Sequence, residues 1–378
     1  MRKKYITPEG TRDIVLEECA IKRNLQKDIE NILDGWGYEE IITPTIEFYD
    51  TINSGFEALR EEELYKFFDN KGKIMALRPD MTIPIARVVA SKFKDIKDTL
   101  RFRYCANVFR VHESLGGKKN EYTDCGVELI GEKAENSDLE ILVTALDVLK
   151  LFEKYKYKLE IGNISFFNSA VEELDLDYDE KRKLSELIDR KSLQELEEYL
   201  ESLNLEEKYK NLFIKLPWLF GGKEVLSEGR KYCFNDKMNA SIDYLENISR
   251  ELEELGYGSV AYYDLGMVPT VNYYTGIIFR GYVEGVGSNV LSGGRYDKLL
   301  STFGEDRPAV GFSINLDSVL DIIKDEKVNK SEVYKIYYNE ANKVEAFKKS
   351  NELRALGNIV KMHFNEDINE IKIEKGDN

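Results

Sequence analysis

Two short stretches in the second half of the chain carry residues well suited to binding a small ligand. The first is Tyr273-Tyr274-Thr275-Gly276, and the second is Gly293-Gly294-Arg295-Tyr296-Asp297. Tyrosine supplies an aromatic wall that excludes water and a hydroxyl that donates or accepts a hydrogen bond. Together with Ala309-Val310-Gly311-Phe312, which follows, they predict one half of an amino-acid-binding site.

A carboxylate and a hydroxyl stand together further upstream, in Leu77-Arg78-Pro79-Asp80-Met81-Thr82. Asp80 could accept a charge-assisted hydrogen bond from the ammonium group of an amino acid. Alternatively, Asp80 and Thr82 could cap the N-terminus of a helix, because Ile83-Pro84-Ile85-Ala86-Arg87 has a helical pattern. Both interpretations are open at this point.

A predicted hairpin joins Arg103–Arg110 to Tyr122–Glu128 through a long polar loop. In the returning strand Asp124, Gly126 and Glu128 are spaced two residues apart, so they share one face of the sheet. Arg110 could balance these carboxylates in a cross-strand ion pair, or it could bind a carboxylate or an α-phosphate of a ligand.

The charge of the chain and the absence of long apolar runs argue against several classes of protein. The formal net charge is -16, from 54 basic and 70 acidic residues, so the surface repels phosphate backbones and we expect no nucleic-acid partner. No apolar run is long enough to cross a bilayer, and the start, Met1-Arg2-Lys3-Lys4-Tyr5, lacks the apolar core of a signal peptide. We therefore expect no membrane partner and a cytoplasmic location.

Cysteine and histidine usage argues against metal and nucleophilic chemistry. Cys19, Cys105, Cys125 and Cys233 show no Cys-x-x-Cys spacing, and we expect buried free thiols. With two histidines in the whole chain, neither a zinc cluster nor a Ser-His-Asp triad is expected. The chain also lacks the Gly-x-Gly-x-x-Gly and Walker loops that bind nucleotide cofactors. No metal and no cofactor is predicted.

Helices and strands are predicted in irregular order, which is typical of an α+β fold with a mainly antiparallel sheet. Strands are predicted near Glu40–Pro44, Ile74–Leu77, Leu100–Phe109, Tyr122–Ile130, Tyr157–Ile161, Val260–Asp264, Tyr273–Val283 and Ser288–Ser292. The last of these is predicted to lead into a glycine turn at Gly293-Gly294. One helix is predicted to begin after a capping pair, Asn136-Ser137.

The composition divides the chain into a large core, residues 1–325, and a small tail, residues 326–378. Leucine and glutamate dominate between about 170 and 255, which predicts a helical insertion within the core. The tail has the pattern of a strand, Val333–Tyr338, a helix, Lys343–Leu356, and a second strand, Ile359–Phe364. Such a length is near the lower limit for an independently stable domain.

In this order, the motifs resemble those of the class II histidyl-tRNA synthetase family. Thr7–Asp13 is similar to its entry segment, Ile42-Thr43-Pro44 to motif 1 at the dimer interface, and Phe109–Glu128 to motif 2. Leu77–Thr82 is similar to its Leu-Arg-Pro-Glu-Gly-Thr segment, and the two tyrosine-containing stretches resemble its histidine-specific motifs. The resemblance extends from about residue 5 to about residue 320, with the insertion in the expected place. It implies a class II synthetase-like core, a self-dimer formed through motif 1, and a tail that is a remnant of the anticodon-binding domain.

The resemblance also implies which residues would bind histidine. By position, these are Asp80, Thr82, Arg110, Asp124, Glu128, Tyr273, Tyr274 and Tyr296. Asp80 and Thr82 would face the ligand amine, and Arg110 its carboxylate. Glu128, Tyr274 and Tyr296 would surround the imidazole, whereas Tyr273 could equally belong to the core. Asp124 stands where the family has glutamine, and this extra carboxylate could favour a protonated imidazole.

The departures from the family pattern concern cations. The family's Arg-Gly-Leu-Asp becomes Pro269-Thr270-Val271-Asn272, and Gly-x-Glu-Arg of motif 3 becomes Asn315-Leu316-Asp317-Ser318. The tRNA-facing arginines of the motif 2 loop become Lys118 and Asn120. Each lost contact of this kind typically costs about 2–4 kcal/mol of transition-state stabilisation. We therefore predict a pocket that binds histidine but neither activates it nor charges tRNA.

A synthetase-like body with these losses resembles a paralogous family, the regulatory subunits of ATP phosphoribosyltransferase, which acts at the first step of histidine biosynthesis. That resemblance implies a non-catalytic chain that assembles with a short-form catalytic subunit, in an expected hetero-octamer, with histidine as the feedback effector. Two alternatives are a divergent amino-acid-activating enzyme and a stand-alone histidine sensor or adaptor.

Overall fold

Residues 5–55, 61–112, 119–268, 273–323 and 333–376 are described by a computed structural model of the chain. The chain divides into two compact units, Met1–Ile323 and Lys324–Asn378. The boundary predicted at residue 325 falls in the segment 324–332, outside the described residues.

The first unit alternates helices and strands irregularly along the chain. Its strands are β1 (Glu39–Glu40), β2 (Ile46–Phe48), β3 (Lys66–Phe68), β4 (Ile74–Leu77), β5 (Leu100–Phe109), β6 (Glu121–Ile130), β7 (Tyr157–Asn163), β8 (Phe220–Gly221), β9 (Ala261–Asp264), β10 (Ile277–Val283), β11 (Leu291–Arg295) and β12 (Ala309–Asn315). Its helices are α1 (Leu16–Gly35), α2 (Tyr49–Gly55), α3 (Thr82–Lys92), α4 (Ala134–Leu149), α5 (Ile164–Val171), α6 (Tyr178–Asp189), α7 (Leu193–Ser202), α8 (Glu207–Lys215), α9 (Glu224–Arg230), α10 (Asp236–Glu254) and α11 (Leu316–Ile323).

The largest sheet of the described chain has nine strands in the order β1-β5-β6-β12-β11-β10-β7-β9-β8. Only the pairs β1–β5 and β7–β9 among these strands are parallel. The predicted α+β class with a mainly antiparallel sheet is confirmed. β6 is central to the site, because it pairs with the long strand β5 on one side and with β12 on the other.

Helical spacing of apolar residues explains how the helices cover this sheet. In α1, Ile21, Leu25, Ile29 and Leu33 recur every four residues, and all four are buried. In the predicted insertion, the described chain forms the helices from α6 to α10, and each of them buries apolar residues that include at least one leucine.

A second sheet, in the order β2-β4-β3, presents an apolar face that the described residues leave partly open. Its register places Ile46 and Phe48 of β2, Phe67 of β3, and Met75 and Leu77 of β4 on one face. Ile46, Phe48 and Phe67 are 45%, 46% and 39% exposed. We call this group of five side chains the β2–β4 face.

The second unit consists of a three-stranded sheet and one described helix. Its elements are β13 (Val333–Tyr338), α12 (Lys343–Ala355), β14 (Ile359–Phe364) and β15 (Lys372–Gly376). β13 lies in the centre, parallel to β14 and antiparallel to β15. Ile336, Ala346 and Val360 form its small core.

Three local predictions need correction. The strand predicted over Glu40–Pro44 ends at Glu40, because the Thr43 and Pro44 carbonyls accept hydrogen bonds from the Arg78 guanidinium instead of a neighbouring strand. The helix predicted to follow Asn136-Ser137 begins at Ala134, and Ser137 lies in its first turn with its hydroxyl bonded to the Lys133 carbonyl. The strand predicted from Tyr273 begins at Ile277.

The predicted glycine turn is also wrong, because Gly293 and Gly294 lie within β11. Glycine is required at these positions because neighbouring atoms pack closely against them, and not because the chain reverses there. A Cβ on Gly293 would lie 2.4 Å from the Gly311 carbonyl oxygen, and a Cβ on Gly294 would lie 2.7 Å from the Tyr274 ring.

The prediction of buried free thiols is wrong for Cys105, Cys125 and Cys19. Cys105 and Cys125 are directly opposed in the β5–β6 register, with their Cα atoms 4.0 Å apart, and they form a disulfide. Cys19 is exposed instead of buried, and Cys233 is partly buried. In the part of the chain that the structure describes, no helix has both the length and the apolar character needed to cross a membrane.

A buried ion pair fixes β11 against the start of α4. Arg295 is 2% exposed, and its guanidinium donates to Asp138 at 2.5 and 2.8 Å and to Asp297 at 2.8 Å. Its side chain therefore has a structural role. It lies on the opposite side of the strand from Gly294 and Tyr296.

Removing Arg295 should leave the buried Asp138 without its cation. We expect Arg295→Ala to lower the free energy of unfolding by about 3–5 kcal/mol, measured by urea denaturation. As a control, Lys237→Ala breaks the exposed Lys237–Glu172 pair and should change the stability by about 0.5 kcal/mol or less. Equal effects of the two substitutions would contradict this assignment.

Candidate functional site

Glu128 lies at the centre of the site and joins three elements. Its Oε1 accepts a hydrogen bond of 2.7 Å from the Thr82 hydroxyl at the start of α3. Its Oε2 accepts a short hydrogen bond from the Tyr296 hydroxyl, which follows β11. Glu128 is 1% exposed, and burial raises its pKa to about 8 even though both hydrogen bonds favour the charged form.

Glycine on the neighbouring strand makes room for this carboxylate. Gly311 of β12 lies directly opposite Glu128 in the register. A Cβ at Gly311 would come within 2.0 Å of Glu128 Oε2. The glycine in Ala309-Val310-Gly311-Phe312 is therefore required by a side chain of the site.

Three tyrosines form an aromatic wall beside Glu128. The Tyr273 ring lies 4.7 Å from the Tyr274 ring and 5.8 Å, edge to face, from the Tyr296 ring. Burial, followed by the charge of Glu128, holds the pKa of Tyr296 well above its usual range, so its hydroxyl stays protonated and donates to that carboxylate. Tyr273 also packs against the core cluster around Ile83 and Val108, so both roles considered for it find support.

The two carboxylate oxygens of Asp80 correspond to the two roles considered for it, a helix cap and a ligand acceptor. Its Oδ1 accepts from the Ile83 backbone N–H at 3.2 Å, which is a cap of α3. Its Oδ2 is buried and accepts no hydrogen bond, although Arg110 Nη2 lies 3.8 Å away. Burial raises the pKa of Asp80, and Arg110 opposes that shift. A buried oxygen without a donor is the group that a ligand ammonium would satisfy.

Arg110 is oriented by the backbone that precedes α3. Its Nε donates to the Pro79 carbonyl at 2.9 Å, so one edge of the guanidinium is fixed and Nη2 is directed towards Asp80. Burial disfavours its charge, but the surrounding acidic groups, with Tyr122 and Asp80 foremost, raise the pKa of Arg110. It remains a cation and can pair with a ligand carboxylate.

Asp124 completes a row of acidic groups along β6. As predicted, one face of β6 carries Asp124, Gly126 and Glu128. The register is uninterrupted along this stretch, where they pair with Asn315, Ser313 and Gly311 of β12. Burial raises the pKa of Asp124 to about 7, helped by Asp80 and opposed by Arg110 and by a hydrogen bond with Ser313. Around neutral pH the charge of this carboxyl is therefore sensitive to any cation that binds nearby.

A cavity of about 750 Å³ extends from Arg110 and Asp124 towards the start of α11. Its far end is formed by the segment that departs from the family's motif 3. Asn315 accepts from the Ser318 backbone N–H at 3.1 Å, and its carbonyl accepts from the Ser318 hydroxyl at 2.7 Å. The Asp317 side chain is 4% exposed and bonded to Lys22 at 2.7 Å. These positions cap a helix and neutralise a lysine, and neither offers a cation to a phosphate.

The structure brings together all eight residues predicted for the pocket. They are Asp80, Thr82, Arg110, Asp124, Glu128, Tyr273, Tyr274 and Tyr296, connected by the contacts above. Pro269-Thr270-Val271-Asn272 and Lys118 lie outside the described residues. Asn120 is buried, and its amide donates to the Glu9 carbonyl and to the Tyr65 hydroxyl. It fixes the entry segment and does not face solvent.

Sequence reasoning missed two contributors to this site. Tyr104 of β5 lies over Gly126, where a Cβ would come 2.7 Å from the Tyr104 hydroxyl. Ser313 hydrogen-bonds to Asp124 from β12. The signal for both was the register of β5 and β12 against β6, which pairs Tyr104 and Ser313 with Gly126.

The raised pKa of Glu128 predicts a pH dependence of stability. The unfolded chain has an ordinary carboxyl pKa of about 4.3, so between that value and about 8 the folded state binds more protons. This group therefore makes the folded state less stable as pH rises from about 4 to about 8. We expect Glu128→Gln to reduce the loss of unfolding free energy between pH 5 and 8.5 by about 1 kcal/mol or more.

The measurement is urea denaturation across that pH range. Glu197→Gln, at an exposed position of α7, serves as the control and should keep the wild-type pH profile. An unchanged profile in Glu128→Gln would contradict the assignment of this titration.

Comparison with known proteins places this geometry in a family. The family model described as histidyl-tRNA synthetase matches residues 10–319. An ATP phosphoribosyltransferase regulatory subunit of Clostridium kluyveri is 40% identical over 377 residues, which covers 97% of this chain and 95% of the relative.

Solved structures agree with this assignment. A structure described as an ATP phosphoribosyltransferase regulatory subunit/histidyl-tRNA synthetase, from Bacillus halodurans, is 30% identical with a TM-score of 0.86, covering 98% of this chain and 95% of that one. A histidyl-tRNA synthetase from a Nostoc species has a TM-score of 0.78 at 21% identity, covering 97% and 88%, and so supports the fold alone. The chain belongs to the histidyl-tRNA synthetase-like family of ATP phosphoribosyltransferase regulatory subunits.

Proposed function

We propose that this chain is a non-catalytic regulatory subunit of ATP phosphoribosyltransferase that senses histidine in the pocket around Glu128. The observation that carries the proposal is the 40% identity with a regulatory subunit over nearly the whole length of both chains. The pocket adds the physical reason why histidine is the effector.

The polar groups of the pocket match those of histidine in kind. Asp80 Oδ2, which is buried and accepts no hydrogen bond, suits the ligand ammonium group. Arg110 suits the ligand carboxylate, and Glu128 suits an imidazole N–H because each carboxylate oxygen can accept a further hydrogen bond. Tyr274 and Tyr296 supply the aromatic wall for the ring.

Asp124 adjusts which form of histidine the pocket prefers. It places a third carboxylate beside Asp80 and Glu128, with Arg110 as the opposing cation. An excess of acidic groups favours a ligand with net positive charge. We therefore expect protonated imidazole to be bound more tightly than the neutral ring.

The same pocket is poorly equipped for amino-acid activation. Activation requires cations that neutralise the charge developing on a triphosphate and on the attacked carboxylate. At the end of β12 the corresponding positions hold Asp317, already paired with Lys22, and Ser318, bonded to Asn315. Binding without reaction is the behaviour expected of a sensor.

Regulation requires a partner, and membership of this family implies a catalytic one. We propose that this partner is the short-form catalytic subunit, in a hetero-octamer whose active and inhibited arrangements are biased by histidine. The division into a synthetase-like core and a remnant of an anticodon-binding domain is part of the same proposal. The cytoplasmic location stays a prediction.

The proposal also includes a self-dimer formed through the β2–β4 face. Three of its five apolar side chains are more than a third exposed, and Ile42, in the predicted motif 1, is 85% exposed. Exposed apolar side chains gathered on one face of a sheet are typical of an interface between subunits.

Reconstitution tests the regulatory function. We expect a short-form catalytic subunit to transfer the phosphoribosyl group to ATP much faster with this chain than without it, and we expect histidine to inhibit the complex. Asp80→Asn should raise the half-inhibiting histidine concentration by at least about tenfold, because the ammonium group loses a charge-assisted hydrogen bond. Asp179→Asn, at an exposed site on α6, should leave that concentration unchanged.

Two outcomes would contradict the proposal. One is failure of the chain to bind or activate the catalytic subunit. The other is histidine inhibition that is equally strong in the Asp80→Asn variant, which would move the histidine site away from this pocket.

The self-dimer is tested by the mass of the purified chain in solution. The wild-type chain should have about twice its mass of 43.7 kDa by light scattering. Phe48→Glu places a charge in the β2–β4 face and should yield monomers, whereas Leu255→Glu, at an exposed apolar site after α10, should not. A monomeric wild-type chain would contradict this part of the proposal.

A further inference from the structure

Three cations converge on Asp317 at the far end of the cavity. Its Oδ2 accepts from Lys22 Nζ at 2.7 Å. Arg12 Nη2 lies 3.9 Å from its Oδ1, while Arg12 Nη1 pairs with Glu18 at 2.5 Å. Lys119 Nζ donates to the Asp317 backbone carbonyl at 2.8 Å. The three basic residues come from the entry segment, from α1 and from the end of the motif 2-like loop, so distant parts of the chain meet at this residue.

The Asp317 carboxylate accepts hydrogen bonds of the kind that a bound anion would accept. Besides the lysine, its Oδ2 accepts from the Thr123 backbone N–H at 2.8 Å. Two cations and a backbone N–H around one anionic group are the arrangement with which proteins bind a phosphate. Here the anion is supplied by the first turn of α11.

Size alone does not keep a nucleotide out of this cavity. A volume of about 750 Å³ lies within the range of small-molecule and cofactor sites. Charge is the obstacle, since Asp124, Asp317 and Asp321 line the cavity beside Arg110 and Lys119, and Asp317 also occupies the neighbouring Lys22.

We propose that Asp317 acts as a built-in anion that occupies Lys22, with Arg12 and Lys119 close by, and thereby excludes polyphosphates from the cavity. Asp317 thereby determines which ligands the cavity accepts. The cavity is left for ligands without a polyphosphate, so ATP, the substrate implied for the catalytic partner, does not compete there. The inference concerns polyphosphate exclusion alone and stands whether or not the neighbouring pocket takes histidine.

The test is calorimetric titration of the full chain with inorganic pyrophosphate. Asp317→Asn keeps the shape of the side chain and an acceptor for the Thr123 N–H, but it removes the charge that pairs with Lys22. We expect this variant to bind pyrophosphate at least about tenfold more tightly than the wild type, because charge-assisted hydrogen bonds become available to the ligand.

Matched variants separate this effect from a general change in charge. Asp321→Asn removes a negative charge from the same cavity but none of the contacts of Asp317, so its gain in affinity should be much smaller. Adding Lys22→Met to Asp317→Asn should abolish the gain, because Lys22 is the closest cation. Thermal unfolding checks that each variant is folded, and Asp317→Ser is the second variant if Asp317→Asn is not.

Three results would overturn the proposal. They are tight pyrophosphate binding by the wild type, no gain in either folded Asp317 variant, and a gain that persists when Lys22 is replaced.

Discussion

The rest of the site depends on the buried carboxylate of Glu128. It is bonded to the first residue of α3 and to the tyrosine that follows β11, and it lies against a glycine of β12 that leaves it room. These contacts fix the distance between α3, which begins two residues after Asp80, and the aromatic wall. Because the group is fully enclosed, its charge is costly, and a ligand that donates a hydrogen bond or brings a positive charge relieves that cost. The pocket is therefore organised around an acid that requires a basic partner.

The balance of charge differs between the pocket around Glu128 and the cavity that extends from Arg110 and Asp124. The pocket holds three carboxyl groups, Asp80, Asp124 and Glu128, with one arginine, which suits a cationic amino acid. At the far end of the cavity Lys22 is already paired with Asp317, and Arg12 is paired with Glu18. A synthetase needs free cations at that end, and a sensor does not. A histidyl-tRNA synthetase shares this fold at 21% identity, so fold alone does not decide function.

Much of this architecture was predictable because several strands have a regular residue pattern and because the motifs have distinctive spacing. Leu100–Phe109 is reproduced as predicted, and so is the shared face of Asp124 and Glu128. The errors arose where tertiary contacts override local pattern. Arg78 captures the carbonyls that the predicted first strand would have used, and Gly293 serves close packing instead of a turn. Tyr104 and Ser313 were missed because strand register, which a single sequence does not specify, brings them to the site.

We propose that histidine binds, unreacted, in the pocket around Glu128. A crystal structure of the chain grown with histidine and MgATP tests it most directly. We expect intact histidine with its ammonium group on Asp80 Oδ2, its carboxylate at Arg110 and its imidazole between Glu128 and Tyr296, with no nucleotide in the adjoining cavity. Histidine bound at another place with this pocket empty, or histidyl-adenylate within it, would contradict the account.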